Sequence, residues 1–414
     1  MNSDVVVVGA GLAGLTAALR LAESGLRVVV VAKGVGATHL GGGTIDVLGY
    51  APERVESPAG ALPEFTAAHP EHPYAGLPPE ALAASVDWLQ QRVAPLRYVG
   101  GLAENFLLPT AVGAAKPSAV VPETMAAGDL RGGGAVAIVG LRGLRDFYAA
   151  YLADNLGQAA SVSARALELE LPPDGNAEPG GLGFARRFEQ AEFRTALVRE
   201  LGGRLEAEEW VGFPAVLGLT RAAGAWSELQ ERLGRPVFEI PTLPPSIPGM
   251  RLFQALTTAF RAAGGRLLIG PEISGGETSG GRVEAVVAQA AARTVTHRAR
   301  WFVLASGGFA AGGLELDSYG EVREPVFGLP VAGVPERGRR FDPGYFEEQP
   351  LSRAGLAVDE RQRPVGEEGR PVFDNLYAAG AMLAGAVPWR EGSGNGISLA
   401  TGYAAASAIL ERAS

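Results

Sequence analysis

Val5 to Val8 and Val28 to Val31 are two uninterrupted valine runs. Runs without alternating polar positions predict strands buried on both faces, over 4–8 and 27–31. Between them, residues 12–24 carry a helical apolar spacing that stops at Gly25. The whole is a strand–helix–strand unit of about 30 residues. Residues 51–80 are rich in proline and poorly periodic, and mark an exit from this first unit. Strand patterns follow at 135–140, 161–171, 211–219 and 235–241. Helical patterns at 144–156, 184–202 and 222–233 alternate with them. That alternation predicts a second parallel sheet covered by helices. After residue 246 the first pattern returns. There is an amphipathic helix at 250–265, a strand in RLLIG and an antiparallel excursion at 282–299. A buried strand from Trp301 then runs into a glycine turn, and residues 371–410 give a short strand, a glycine-rich loop and a last helix. The expected fold class is α/β, with a discontinuous Rossmann-like domain, 1–55 plus 246–414, and an inserted α/β cap or substrate domain, 56–245.

Composition narrows the chemistry. The 414 residues carry a net charge of −9 and no basic block, so nucleic acid is not an expected partner. There is no cysteine, which excludes disulfides, thiolate catalysis and a cysteine-ligated iron–sulfur cluster in this chain. His39, His69, His72 and His297 are too scattered to suggest a metal site. Lys33 and Lys116 are the only lysines, against a large excess of arginine. The apolar N-terminus lacks a basic leader, and no run of about 20 apolar residues occurs. A cytoplasmic location is expected, with any membrane contact made through a partner.

The glycine turns carry the candidate chemistry. Gly9, Gly11 and Gly14 form G-x-G-x-x-G between the first strand and first helix, which begins Leu12–Ala13. Gly9 permits the tight turn, Gly11 lets backbone N–H groups approach a pyrophosphate, and Gly14 permits close helix–strand packing. The second strand ends in Ala32 and Lys33, where dinucleotide sites usually place an acid for a ribose hydroxyl. A second turn contains Ala305, Ser306 and Gly307, and a third includes Gly380 and then GSGNGIS. One long cofactor touching several strand ends requires such a set. Backbone N–H groups of Gly394, Asn395, Gly396 and Ile397, at the start of the last helix, are candidates to stabilise charge on the N1/O2 edge of a reduced flavin.

The order G-x-G-x-x-G, LASGGF and NLYAAG…GSGNGISLA resembles flavoproteins of the fumarate reductase and succinate dehydrogenase type. THLGGGTIDVL, AHPEHPY, VGLRGLRDF, PTLPPSIPGMRL, REPVFGL and DNLYAAGAMLAG sharpen it. These landmarks run in order along nearly the whole chain. They are similar to the B subunits of anaerobic glycerol-3-phosphate dehydrogenases. The resemblance implies oxidation of glycerol 3-phosphate to dihydroxyacetone phosphate within a complex. The partners would be a flavoprotein like the A subunits of these enzymes and an iron–sulfur protein like their C subunits, which delivers electrons to quinone. It implies a non-covalent flavin; the full pyrophosphate turn favours FAD, with FMN open. It puts Lys33 near the adenine side, and His39, Gly42, Gly43 and Thr44 near the isoalloxazine ring. His39, Arg251 and Arg323 become candidate catalytic or anion-binding residues, with Arg390 a further cation. Two other readings stand beside this one: a non-catalytic flavin relay or assembly protein, and a stand-alone flavin reductase.

Overall fold

A computed structural model describes residues 3–170, 180–291 and 293–413. Its main sheet has five parallel strands, in the order Arg266–Ile269, Val28–Ala32, Val5–Val8, Trp301–Leu304, Leu376–Ala378. The chain winds outward from Val5–Val8 in one direction, then returns and winds outward in the other. The order therefore reverses between Val5–Val8 and Trp301–Leu304, the point where open α/β sheets bind ligands. Val8 is in register with both Val31 and Leu304, and Leu304 with Ala378. The carboxyl ends of these strands thus line one edge.

Both faces of the sheet are covered, which explains the unalternating valine runs. Val5, Val7, Val28, Val30 and Val303 pack with residues of the helices Leu12–Glu23, Ile247–Ala262 and Gly394–Ala413. Val6, Val8, Val29, Val31 and Leu304 pack against Val283, Val286 and Ala288. Those three lie on the middle strand of an antiparallel sheet formed by Glu272–Ser279, Arg282–Ala290 and Arg293–Arg298. The excursion expected at 282–299 thus begins one strand earlier.

A second sheet has four parallel strands, ordered Val237–Ile240, Trp210–Pro214, Gly134–Leu141, Val162–Leu169. It has its own core, including Val136, Ile138, Phe188, Phe213 and Phe238. The strand expected at 161–171 ends at Leu169, and its last position lies outside the described residues. The helix expected at 184–202 is two helices, Gly181–Phe188 and Ala191–Gly202. They part at Glu189, whose carboxylate accepts N–H groups of Leu219, Thr220 and Arg221. The proline-rich stretch holds a helix, Pro58–Ala68, whose N-cap Ser57 accepts from Gly60 N–H. Helix Ala81–Arg92 places Leu82, Val86 and Leu89 in the core of the five-stranded sheet. No helix among the described residues is long and apolar enough to cross a membrane.

Candidate functional site

The glycine turns meet at the reversal point. Gly9 has a φ of +107°, and a β-carbon there would lie 2.1 Å from the Ala305 carbonyl oxygen. Ala305 N–H in turn donates to Val8 O at 2.8 Å. A β-carbon on Gly14 would lie 2.1 Å from Gly9 O. Gly11 is different: a β-carbon there meets nothing within 4 Å. It caps Leu12–Glu23 without a side chain, so the N–H groups of Leu12, Ala13 and Gly14 have no intrahelical acceptor. The result is an open cradle at the positive end of a helix dipole.

The second turn continues through Ser306 to Gly307, at φ +85°. In the third, a β-carbon on Gly380 would lie 2.9 Å from Ala13 Cβ, and Gly380 N–H donates to Thr401 Oγ1 at 2.9 Å. The start of the last helix requires a correction. Gly396 N–H donates to Asp46 O and Ile397 N–H to Ser393 O, both at 2.9 Å, so neither is open to a ligand. The loop after the second strand supplies the acceptor for Gly396 that helix geometry leaves missing. Asn395 Nδ2 donates to Thr44 O at 2.7 Å. Among the described residues, the N–H groups of Gly394 and Asn395 have no acceptor.

The loop carrying His39 is clasped by the segment leading into Ile247–Ala262. Ser246 N–H donates to His39 O at 2.8 Å, and the imidazole stands edge-on to Phe253 at 4.9 Å. A β-carbon on Gly42 would crowd Pro241, and one on Gly43 would lie 2.5 Å from Pro248 Cβ. His39 Nε2 is shut from solvent and has no hydrogen-bond partner; neither has Thr38 Oγ1 beside it. Desolvation lowers the His39 pKa below 6.5, so the ring is neutral at pH 7.

The cations proposed from sequence are already engaged. Arg251 is buried and bidentate with Glu239, at 2.6 and 2.9 Å, and donates to Gly218 O at 2.7 Å. It is a neutralised internal brace and is withdrawn as an anion binder, because its donors face a buried carboxylate. Arg323 pairs with Glu315 at 2.7 Å on an exposed two-stranded hairpin, Glu315–Leu316 with Val322–Arg323. Arg390 donates to Phe346 O. Lys33 pairs with Glu272 at 2.9 Å on the surface.

Two polar clusters are not apparent from the sequence. Asp46 Oδ1 accepts from Thr44 Oγ1 at 2.8 Å and Ser118 Oγ at 2.7 Å, while Oδ2 accepts from Lys116 Nζ at 2.7 Å. The second cluster is fully internal. Tyr74 N–H donates to His72 Nδ1 at 3.1 Å, which leaves Nε2 as the donor to Glu391 Oε2 at 3.2 Å. Ser393 Oγ and Val387 N–H also donate to that carboxylate, each at 2.7 Å. The scarcity of lysine is the signal for the first cluster, and the AHPEHPY landmark is the signal for the second.

The FAD binding domain family matches residues 4–397, a span that contains every glycine turn of the site. Over 99% of both chains, the sequence is 35% identical to the B subunit of the anaerobic glycerol-3-phosphate dehydrogenase of Pectobacterium carotovorum subsp. carotovorum (strain PC1). It is 33% identical to the probable B subunit of the Halobacterium salinarum enzyme (strain ATCC 29341 / DSM 671 / R1), covering 99% of this chain and 98% of that one. The chain belongs to the family of anaerobic glycerol-3-phosphate dehydrogenase B subunits. It is a flavin oxidoreductase, and FAD is the favoured cofactor. The cradle at Gly11 fits that assignment, because open space beside a helix N-terminus with no side-chain cap suits the pyrophosphate of a dinucleotide. FMN has no pyrophosphate for that cradle. When bound, the flavin supplies hydride acceptance, and the chain supplies position and electrostatics.

Proposed function

We propose that this chain is the flavin-dependent member of an anaerobic glycerol-3-phosphate dehydrogenase complex. It oxidises sn-glycerol 3-phosphate to dihydroxyacetone phosphate, and its electrons pass through an iron–sulfur partner to quinone. The observation that carries this reading is the end-to-end match to enzymes of that name, 35% identical over 99% of both chains. The absence of cysteine supports the need for a partner, because this chain cannot hold a cysteine-ligated cluster.

In this reading Gly9, Gly11, Leu12, Ala13 and Gly14 hold the pyrophosphate. Ala305, Ser306, Gly307 and Gly380 complete the cofactor's bed. Gly42, Gly43, Thr44, Gly394 and Asn395 border the ring, and Lys33 stays at the adenine end. His39 is the proposed base for the substrate's C2 hydroxyl, a role that requires its loop to move, because Nε2 is shut from solvent in this structure. The four-stranded unit acts as the cap over the substrate. Core membership argues for a smaller cap than 56–245, since Leu82, Val86, Leu89, Tyr98, Ala119 and Val120 serve the cofactor core. The complex is cytoplasmic and meets the membrane through its partners.

A second reading has one observation in its favour: Arg251 and Arg323 are both tied up in ion pairs. In that reading substrate is oxidised on the partner flavoprotein and this chain relays electrons. The test is the flavin-loaded chain, purified alone and assayed with glycerol 3-phosphate and an artificial acceptor, together with copurification from its host. Turnover by the isolated chain supports the first reading. No turnover, with full flavin and with activity restored by the partner flavoprotein, supports the relay.

A further inference from the structure

Glycerol 3-phosphate carries its phosphate on the carbon next to the reacting C2. A cation that binds the phosphate must therefore stand beside the flavin ring. Arg251 is sealed inside the protein against Glu239, and Arg323 lies on an exposed hairpin paired with Glu315. Lys116 is bonded to the loop assigned to the ring. It lies on the strand Ala115–Ser118, and its ammonium reaches Asp46 Oδ2 at 2.7 Å and Thr44 Oγ1 at 3.2 Å.

We propose that Lys116 is the residue that binds the phosphate of the substrate. This rests on the functional reading above. An ammonium has three N–H donors, and two of these are engaged by Asp46 and Thr44. The third is left for a ligand on the open side: the Lys116 side chain is 37% exposed, against 16% for Asp46. Both carboxylate oxygens of Asp46 are occupied, which fixes the ammonium in place. The same loop is bound to the start of the last helix through Asn395 to Thr44 O and Gly396 to Asp46 O. The ammonium is thereby tied to the turn assigned to the ring's pyrimidine edge. Among the described residues, the N–H groups of Gly42, Gly43 and Thr44 also lack acceptors, so the loop that holds the cation carries neutral donors as well. A phosphate monoester dianion is the ligand class that a cation beside several neutral donors recognises.

The chain tests this on itself, because it has two lysines and one serves as the control. The flavin-loaded protein is acylated with acetic anhydride and both lysines are followed by peptide mass spectrometry. Glycerol 3-phosphate, or inorganic phosphate, at about ten times its Kd should slow modification of Lys116 about tenfold and leave Lys33 unchanged. Glycerol at the same concentration should protect neither. An unchanged Lys116 rate at saturating glycerol 3-phosphate overturns the proposal, even where the chain turns the substrate over. Protection by phosphate without any turnover keeps the anion site and removes the catalytic reading instead. Lys116→Met should raise KM for glycerol 3-phosphate about tenfold or more with flavin content unchanged, and Lys116→Arg should recover part of it. A Lys116→Met protein that loses flavin while keeping KM assigns the residue to the scaffold and overturns the proposal. If that variant does not fold, the footprint of the natural protein decides alone.

Discussion

The backbone of Gly9 passes so close to Ala305 that a β-carbon on Gly9 would stand 2.1 Å from the Ala305 carbonyl oxygen. These residues directly follow the two strands between which the sheet order reverses. Gly9→Ala must therefore move a strand end or break its turn. Strain at φ +107° and overpacking together should destabilise the flavin-free chain by about 2–6 kcal/mol. Urea unfolding of the apo protein measures this. A variant as stable as the natural chain would mean that the two strand ends do not approach as described.

Gly11→Val should behave in the opposite manner. Its β-carbon enters open space at an ordinary φ of −73°, so the apo fold should lose at most about 1 kcal/mol, the scale of an N-cap preference. Flavin content should nevertheless fall about tenfold or more, because the branched side chain fills the pyrophosphate cradle. Absorbance at the flavin bands against protein concentration reads the outcome. Retention of full flavin would assign the phosphates to another part of the chain.

Arg251→Met should be severe for stability. Arg251 and Glu239 have side chains 3% and 0% exposed, and they join the helix Ile247–Ala262 to the strand Val237–Ile240. Removing the guanidinium leaves a buried carboxylate with only Thr124 Oγ1 and Leu217 N–H, at a cost of about 3–5 kcal/mol. Adding Glu239→Gln should recover roughly half of that loss, because the stranded charge disappears. A double-mutant cycle by denaturant unfolding checks both numbers. If instead Arg251→Met unfolds like the natural chain and only raises KM, Arg251 is an anion binder after all.

These sites differ in how far the sequence displays them. The valine runs and the G-x-G-x-x-G turn are legible because their demands are local: four residues in a strand, or a backbone that no side chain can follow. The cap sheet is legible for the same reason, as alternating strand and helix periods. Charge pairing is not local. Arg251 reads as a free cation until the fold brings Glu239 against it from the other sheet. Lys116 meets Asp46 across 70 positions, and His72 meets Glu391 across 319. The first turn of the last helix misleads for a related reason. Helix geometry leaves its N–H groups open, and only the tertiary approach of Asp46 O closes the one at Gly396.

The His72–Glu391 pair gives a pH dependence with a definite sign. Burial alone would raise the Glu391 pKa, but hydrogen bonds from His72, Ser393 and Val387 N–H outweigh it, and the net pKa lies below 4.5. A carboxyl whose folded pKa is depressed contributes stability in full above its unfolded pKa. It loses that contribution as pH falls from about 4.5 through the folded value. At pH 7, Glu391→Gln should cost about 2–3 kcal/mol, since it removes the charge from three hydrogen bonds. The difference between natural and variant chains should then shrink steadily as pH drops below 4.5. Urea midpoints of both proteins at pH 7, 5, 4 and 3 measure it. A gap between the two proteins that stays constant from pH 7 to 3 would show that the Glu391 charge does not hold this turn.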